Sequence, residues 1–445
     1  MKKAARLELS QTFKRFLFLF AAVNALLSLK RVIFSVTSFW VYKKDLLQGY
    51  VLAKAMLTGV NPYLPVPELA GLWLPEHNLT DLAHPTPHPF AIGWLCLPLA
   101  WLRYEHAAIV WLVFELACLA GAVGLVFRVL ELKFNWRYWA LATFLALGWV
   151  PVIDDLWLGQ FSLFLLVLFL GAWLQLRAGR DGVGGLLLGA LMTLKLVGWP
   201  VVLWLAWRRR WRAVLVAGAT FVGAHLLAVQ LHGWALVRDY YLKVGPMVGA
   251  IYRPHDANFS AWTLGQRLFA EGGFNFILTP LVNAPFLAKA LNVLAPLALL
   301  ATALWLARRA RSFDTSFALL VAAGIVLNPI AWTHYLLLTV LAWVLVCRRL
   351  HALRWPRQLT YRVLLLLAPL SLTQATYIQL AMMFASGADG AGKLIVPAIP
   401  ALLTLLPLAA LCGLLWLLGW LEREDATERA QQALFAKPDF ADARG

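Results

Sequence analysis

Long apolar runs alternate with shorter polar joints along almost the whole chain. The first run covers Phe16 to Leu29 behind the basic opening MKKAARLELSQTFKR, and Lys30 and Arg31 interrupt it. No small-residue cleavage site follows, so the run reads as an uncleaved first span with a basic cytoplasmic flank. The two cations snorkel to the far headgroups or face a polar cavity. A stretch rich in proline and histidine (NPYLPVPELAGLW, then HPTPHP) extends from Trp40 to about Pro89, opening with a predicted helix from Asp45 to about Thr58. Apolar runs follow at about 90–103, 106–127, 138–151, 161–176, 183–207 and 213–231. A second polar stretch covers roughly 232–276, and runs at about 277–307, 315–331, 334–347, 361–385 and 394–421 precede a tail of mixed charge. At about 20 residues per span, the runs make room for roughly eleven to thirteen crossings. The expected fold class is an all-α polytopic membrane protein with two structured loops, at about 41–89 and 232–276.

Composition supports this pattern and charge orients it. Of 445 residues, 62% are hydrophobic and only 14% charged, against about 25% charged in a soluble domain. The formal charge of +17 would point to nucleic acid in a soluble protein. In a membrane protein it reports cytoplasmic loops rich in Lys and Arg, so no nucleic-acid partner is expected. Three basic clusters, Arg208 to Arg212, Arg308 to Arg311 and Arg348 to Arg357, mark the cytoplasmic side. Both long loops then lie outside, with the short loops near 328–334 and 386–393. Arg128, Lys133, Arg137, Arg177 and Arg180 also read as cytoplasmic, which strict alternation of spans forbids. The conflict disappears if 183–207 is a broken hairpin and one of the two runs between 90 and 127 fails to cross. Broken helices at membrane depth are tolerated where they line a cavity. The four cysteines lie far apart in apolar runs and imply neither a disulfide framework nor a zinc site.

A few polar residues are not explained by membrane residence. Lys195 sits near the middle of the run Val183 to Trp207, with Gly198 and Pro200 just after it to weaken the helix. A central lysine costs at least about 3 kcal/mol on insertion scales; it faces a cavity holding an anion, or snorkels, or is paired internally. Asp45 opens a helix whose Tyr50, Ala53 and Leu57 share one face, suggesting a helix on the membrane surface. There Asp45 is an N-cap, which aspartate favours, or a catalytic base. NPIAWTHYLLL puts Asn328 and His334 at the outer end of a span, and DDLWLGQFS puts Asp154, Asp155 and Gln160 just before another. The adjacent acids assist catalysis or belong to a solvated loop. In RPHDANFSAWTLGQRLF, Arg253, Asn258, Ser260 and Arg267 crowd among aromatics, a mix suited to a sugar or phosphate headgroup and equally to a loop packed on headgroups.

These segments, in this order, resemble glycosyltransferase family 87, the polyprenol-phosphate-dependent mannosyltransferase-like proteins of the GT-C superfamily. The likeness spans about residues 40 to 340. It rests on the acid after the first span with its trailing Asn61 to Tyr63, on HPTPHPF, on GQFSLFLL from Gly159, on GLLLGALMTLKLVGWP ending in RRRWRA, on Asn258 to Ser260 with Arg267, and on NPIAWTHY. The resemblance implies a GT-C-type bundle over 16–421 as the catalytic domain, flanked by a basic cytoplasmic N-terminus (1–15) and a charged cytoplasmic tail (422–445). It implies transfer of a hexose, with mannose the expected sugar, from a polyprenyl-phosphate donor to an extracytoplasmic acceptor with inversion. Asp45 corresponds to the base. Lys195 and His334 correspond to contacts of the donor phosphate, with Arg267 as a further cation, and Tyr63, Gln160, Asn258, Ser260 and Arg253 are the substrate-binding candidates. Ser162 and Tyr335 depart from the residues the family often carries there. The expected partners are the lipid-linked donor, membrane lipids and a glycolipid, polysaccharide or protein acceptor. The donor is a substrate, so no cofactor is expected, and no metal is required if Lys195, His334 and an arginine supply positive charge. The expected location is the plasma (inner) membrane, with the active site on its outer side. The rival is a secondary transporter or lipid flippase using Lys195 and His334 as a relay. Transporters usually carry matching broken halves, and no such halves are found here.

Overall fold

The computed structural model describes residues 11–77, 83–273, 276–353, 357–371 and 374–435. Arg354, most of the basic N-terminus and the last ten residues of the tail lie outside them. In chain order the α-helices are α1 (Gln11–Thr37), α2 (Leu46–Thr58), α3 (Val66–Trp73), α4 (Phe90–Cys96), α5 (Tyr104–Val129), α6 (Trp136–Ala146) and α7 (Val150–Leu158). Next come α8 (Ser162–Arg177), α9 (Asp181–Leu194), α10 (Trp199–Trp207), α11 (Trp211–His232), α12 (Trp234–Asp239), α13 (Gly245–Tyr252) and α14 (Leu264–Phe269). The last are α15 (Pro285–Arg309), α16 (Phe313–Val326), α17 (Val340–Ala352), α18 (Arg357–Leu370), α19 (Gln374–Met382), α20 (Ala398–Ala401) and α21 (Leu406–Phe435). Three short strands, β1 (Ile277–Leu278), β2 (Gly387–Ala388) and β3 (Leu394–Val396), make one small sheet in the order β1-β3-β2, with β1 parallel and β2 antiparallel to β3.

The chain is an all-α polytopic membrane protein. Six described helical segments are long and apolar enough to cross a membrane: Phe18–Thr37, Tyr104–Val129, Trp211–His232, Pro285–Arg309, Thr333–Ala352 and Ala398–Glu422. The bent pair α6 and α7, meeting at 74°, would make a seventh, and five shorter apolar helices of 10–17 residues accompany them. Of the short ones, α8 and α16 lie in the interior. On α16 every residue from Thr315 to Val326 is buried, as expected of a helix that is apolar on all sides. By contrast only 11% of the spanning window of α11 is buried, leaving its other faces to lipid.

Packing between α9 and α11 depends on small residues. A side chain at Gly185 would meet the Ala213 carbonyl oxygen at 2.4 Å, and one at Gly189 the Ala217 carbonyl oxygen at 2.6 Å. Gly185 and Gly189 are one helical turn apart, as are Ala213 and Ala217, and this small-residue spacing lets two backbones approach closely in a membrane.

Several sequence expectations change. The first helix does not stop at Lys30 and Arg31 but continues to Thr37; both cations are exposed, and Arg31 lies 4.7 Å from the Trp157 ring centroid. The run 90–103 yields only the seven-residue α4 and a short 3-10 turn, too short to span, whereas 106–127 is the full-length α5. The run 183–207 breaks at Lys195, whose backbone is extended (φ −158°, ψ 130°) between α9 and the 3-10 turn Leu196–Gly198. The run 361–385 divides into α18 and α19, and 232–276 is mostly helical, with a π-helical turn at Tyr240–Val244. Nor does α2 lie on the surface: Tyr50, Ala53 and most of its other residues are buried.

Candidate active site

Asp45 opens α2 without capping it: its side chain accepts no bond from the helix amides. Its carboxylate instead accepts from Gln160 Nε2 at 2.6 Å and from Gln48 Nε2 at 3.2 Å. The residue is half-buried. Burial raises its pKa above the usual aspartate value, opposed by the two amides and by the charges of Lys195 and His84.

The segment carrying Gln160 is fixed at both ends. Gly159, in the left-handed region at φ 66°, ends α7, and a side chain there would meet Leu46 Cβ at 2.9 Å. Asp155, fully buried, accepts from the Ser162 and Leu163 amides, both at 3.1 Å, and so satisfies orphan donors at the start of α8. The solvated-loop reading of the acid pair therefore fails: Asp155 is an internal helix cap, and Asp154 is on α7 beside it. Lys44, also buried, donates to the Leu156 carbonyl at 2.9 Å and to that of Trp157, a cation on the negative end of α7. Burial lowers the Lys44 pKa to about 8 against the charges of Glu115 and Asp45. Neighbouring residues of one short segment thus do different work: Lys44 holds α7, and Asp45 takes the amide that α7 and α8 present.

Lys195 sits at the break between α9 and α10. Its ammonium lies 3.9 Å from the Tyr335 ring centroid and 5.3 Å from that of Phe161. Among the described residues no carboxylate lies within ion-pair distance of it. Cation–π contact offsets part of the desolvation of such a charge, by about 0.5–2 kcal/mol, and leaves it unneutralised. His334, buried, meets Tyr335 edge-on at 4.4 Å, and its Nε2 has no partner. Gln48 Oε1 and Gln160 Oε1 are likewise buried and unpartnered. Buried polar atoms are nearly always hydrogen-bonded, so this cluster of exceptions around one carboxylate and one unpaired cation marks a site that expects a polar ligand.

A narrow cavity of about 10 Å³, room for about one water molecule, reaches this carboxylate between Gly49, His88, Ile92, Trp111, Gln160 and Phe161. His84 is close enough for its charge to act on Asp45: Nδ1 lies 2.7 Å from the Pro85 carbonyl and Nε2 2.6 Å from the Tyr252 hydroxyl. A carbonyl only accepts, so Nδ1 carries a proton, and Nε2 shares a hydrogen bond with the tyrosine hydroxyl, which can donate or accept.

The other candidates fall elsewhere. Asn258 donates to the Tyr252 and Pro329 carbonyls at 3.2 and 3.1 Å and accepts from the Ser260 and Ala331 amides. Ser260 donates to the Val326 and Asn328 carbonyls. Both side chains tie the second long loop to the NPIA turn and have their polar atoms engaged there. Arg267, buried, donates to the His255 carbonyl, and burial lowers its pKa to about 10. With the exposed Arg253 it lines a separate cavity that shares no residue with the one at Asp45. Tyr63 packs on Tyr240 at 5.9 Å, its hydroxyl buried and unpartnered. Asp45, Gln160, Lys195 and His334 therefore form one site, and Arg253, Arg267, Asn258 and Ser260 belong to a neighbouring loop assembly. Among the described residues no group of three or more His, Cys, Asp or Glu side chains is arranged to hold a metal ion. Sequence reasoning missed His84, His88, Lys44 and the aromatic pair Phe161 and Tyr335. The histidines stand four apart in HPTPHP, a spacing that carries no signal beside three prolines, and Tyr335 stands where the sequence departs from the family.

The family model for glycosyltransferase family 87 matches residues 88–329, from His88 through the break at Lys195 to the NPIA turn. The chain belongs to glycosyltransferase family 87. This family 87 chain is also 28% identical over 278 residues to the polyprenol-phosphate-mannose-dependent alpha-(1-2)-phosphatidylinositol pentamannoside mannosyltransferase of Mycolicibacterium smegmatis. The aligned part covers 60% of this chain and 62% of that relative. No solved structure matches it.

Proposed function

We propose that this chain is a polyprenyl-phosphate-sugar-dependent glycosyltransferase that moves a hexose, mannose in the leading reading, to an acceptor hydroxyl outside the cytoplasm. The observation that carries the reading is the pairing, in one site, of an amide-held carboxylate, Asp45, with an unpaired cation, Lys195. A displacement at an anomeric carbon needs that pairing. Asp45 accepts the acceptor's hydroxyl proton from about 3 Å; the oxygen bonds to the anomeric carbon from the face opposite the phosphate. The bond from that carbon to the phosphate oxygen breaks, and polyprenyl phosphate leaves with the electron pair. Lys195 and His334 stabilise the charge on the leaving phosphate, and a single displacement inverts the anomeric centre. Gln160 and Gln48 hold Asp45 through one amide hydrogen each, leaving their oxygens for substrate hydroxyls. The relative's printed name supports a polyprenyl-phosphate-mannose donor and a glycolipid acceptor. The basic clusters support an outer-facing site in the plasma membrane, with 16–421 as the catalytic domain. Family membership leaves the transporter alternative without a supporting observation.

Purified chain in liposomes, given radiolabelled polyprenyl-phosphate-mannose and a glycolipid acceptor, is expected to move label to the acceptor and release polyprenyl phosphate. Lys195→Met is expected to weaken donor binding at least about tenfold, the worth of one charge-assisted contact. Label that crosses the bilayer still on its lipid would instead identify a flippase, and unchanged donor affinity in the variant would remove the phosphate role of Lys195.

A further inference from the structure

His88 is held rigidly at the Asp45 cavity with nothing to hold. Prolines stand on both sides of it, and proline fixes φ near −65°. The His88 amide donates to Thr86 Oγ1 at 3.4 Å, and the Pro87 carbonyl accepts from the Tyr240 hydroxyl at 3.2 Å. The ring meets Phe161 edge-on at 5.1 Å, on the same aromatic side chain that carries Lys195. It lines the cavity with Asp45 and Gln160 and is 7% exposed. Among the described residues neither ring nitrogen has a hydrogen-bond partner. Both nitrogens are therefore open to the cavity and free to bond a ligand that enters it.

We infer that His88 is a substrate-binding residue that hydrogen-bonds a sugar hydroxyl of the acceptor, beside the hydroxyl that Asp45 deprotonates. The inference rests on the function proposed above. Burial, with the nearby Lys195 charge, lowers the His88 pKa to about 3, so the ring is neutral. A neutral imidazole offers one donor and one acceptor, which matches a hydroxyl; a phosphate wants donors only. The Lys195 ammonium supplies those. His88 shares its cavity with the base, which places its ligand at the acceptor end.

The test uses the full chain in liposomes with polyprenyl-phosphate-mannose and a synthetic alkyl mannoside, varying each substrate separately. His88→Phe keeps an aromatic ring against Phe161 and removes both nitrogens; His88→Asn keeps one donor and one acceptor. The phenylalanine variant is expected to raise the acceptor KM about tenfold or more with the donor KM within about twofold, and the asparagine variant to recover part of the loss. A rise confined to the donor KM would move the contact to the transferred hexose and overturn the assignment, as would two unchanged KM values. If His88→Phe does not fold, the same comparison is read from His88→Asn against His88→Ala. Wild-type chain that transfers nothing to the mannoside or to a glycolipid acceptor fails the proposed function itself, and the inference falls with it; wild-type transfer with an insensitive His88 overturns the inference alone.

Discussion

Asp45 illustrates how a single carboxylate is prepared by its neighbours. The helix it opens does not use it, since the α2 amides take no bond from it, and two glutamine amides hold it towards the cavity instead. Burial raises its pKa above the value of about 3.9 for a free aspartate. A base must be ionised, so activity is present above the folded-state pKa and is lost as pH falls through it. The acidic limb of kcat/KM is therefore expected above the range of a free aspartate; a limb at or below that range would mean that another group sets it. Linkage gives the matching stability sign: the folded chain binds this proton more tightly than the unfolded chain, so stability falls as pH rises between the two values. Above that window ionised Asp45 costs stability, and Asp45→Asn should melt at or above the wild-type temperature. Spacing alone left cap and base equally open here. What separates them is where Gln160 arrives, 115 residues away in sequence, and that distance is bridged where the Gly159 turn between α7 and α8 meets Leu46 at the start of α2.

At the scale of elements, the site hangs on two interruptions, the bend between α6 and α7 and the break at Lys195. The second was legible, because a lysine followed by glycine and proline inside an apolar run contradicts a continuous helix. The first was less so: Gly148 and Pro151 in LGWVP carry the same breaker signal, but they stand at the end of a run that otherwise reads as one span, and nothing there sets a turn of 74°. The close seam of α9 on α11 supports the Lys195 break from below. Gly189→Leu adds a branched side chain where even one carbon would sit 2.6 Å from the Ala217 carbonyl, so the helices must separate. The expected loss is about 1–3 kcal/mol, as for overpacking elsewhere, seen as a lower melting temperature in detergent together with reduced donor binding. A variant that melts lower yet binds donor normally would show that the seam does not position Lys195.

Over the whole molecule, hydropathy and charge carried most of what was legible. The runs gave the all-α polytopic class, and many of their limits fall within a few residues of a helix end. The small sheet was illegible, because β1 pairs with β3 across more than a hundred residues through two or three residues each, too few for any alternation to register. Half of the site was visible as polar residues that membrane residence does not explain, namely Asp45, Gln160, Lys195 and His334. Arg253, Arg267, Asn258 and Ser260 looked equally suitable by composition, and their separation from Asp45 is a matter of how the second loop folds onto the NPIA turn. The two groups meet the same chemistry on paper and differ in what the fold leaves unsatisfied: two amide oxygens and an imidazole nitrogen around Asp45, against Asn258 and Ser260 side chains already bonded to backbone, with one Arg267 nitrogen left over. The most direct test of Asp45 as the base is a paired assay of wild-type and Asp45→Asn chain in liposomes, measuring polyprenyl-phosphate-mannose binding and label transfer together. The predicted result is a variant that inserts and binds donor like wild type while its transfer falls by at least about a hundredfold, as expected when general-base catalysis of 10²–10⁴-fold is removed; transfer at the wild-type rate would contradict it.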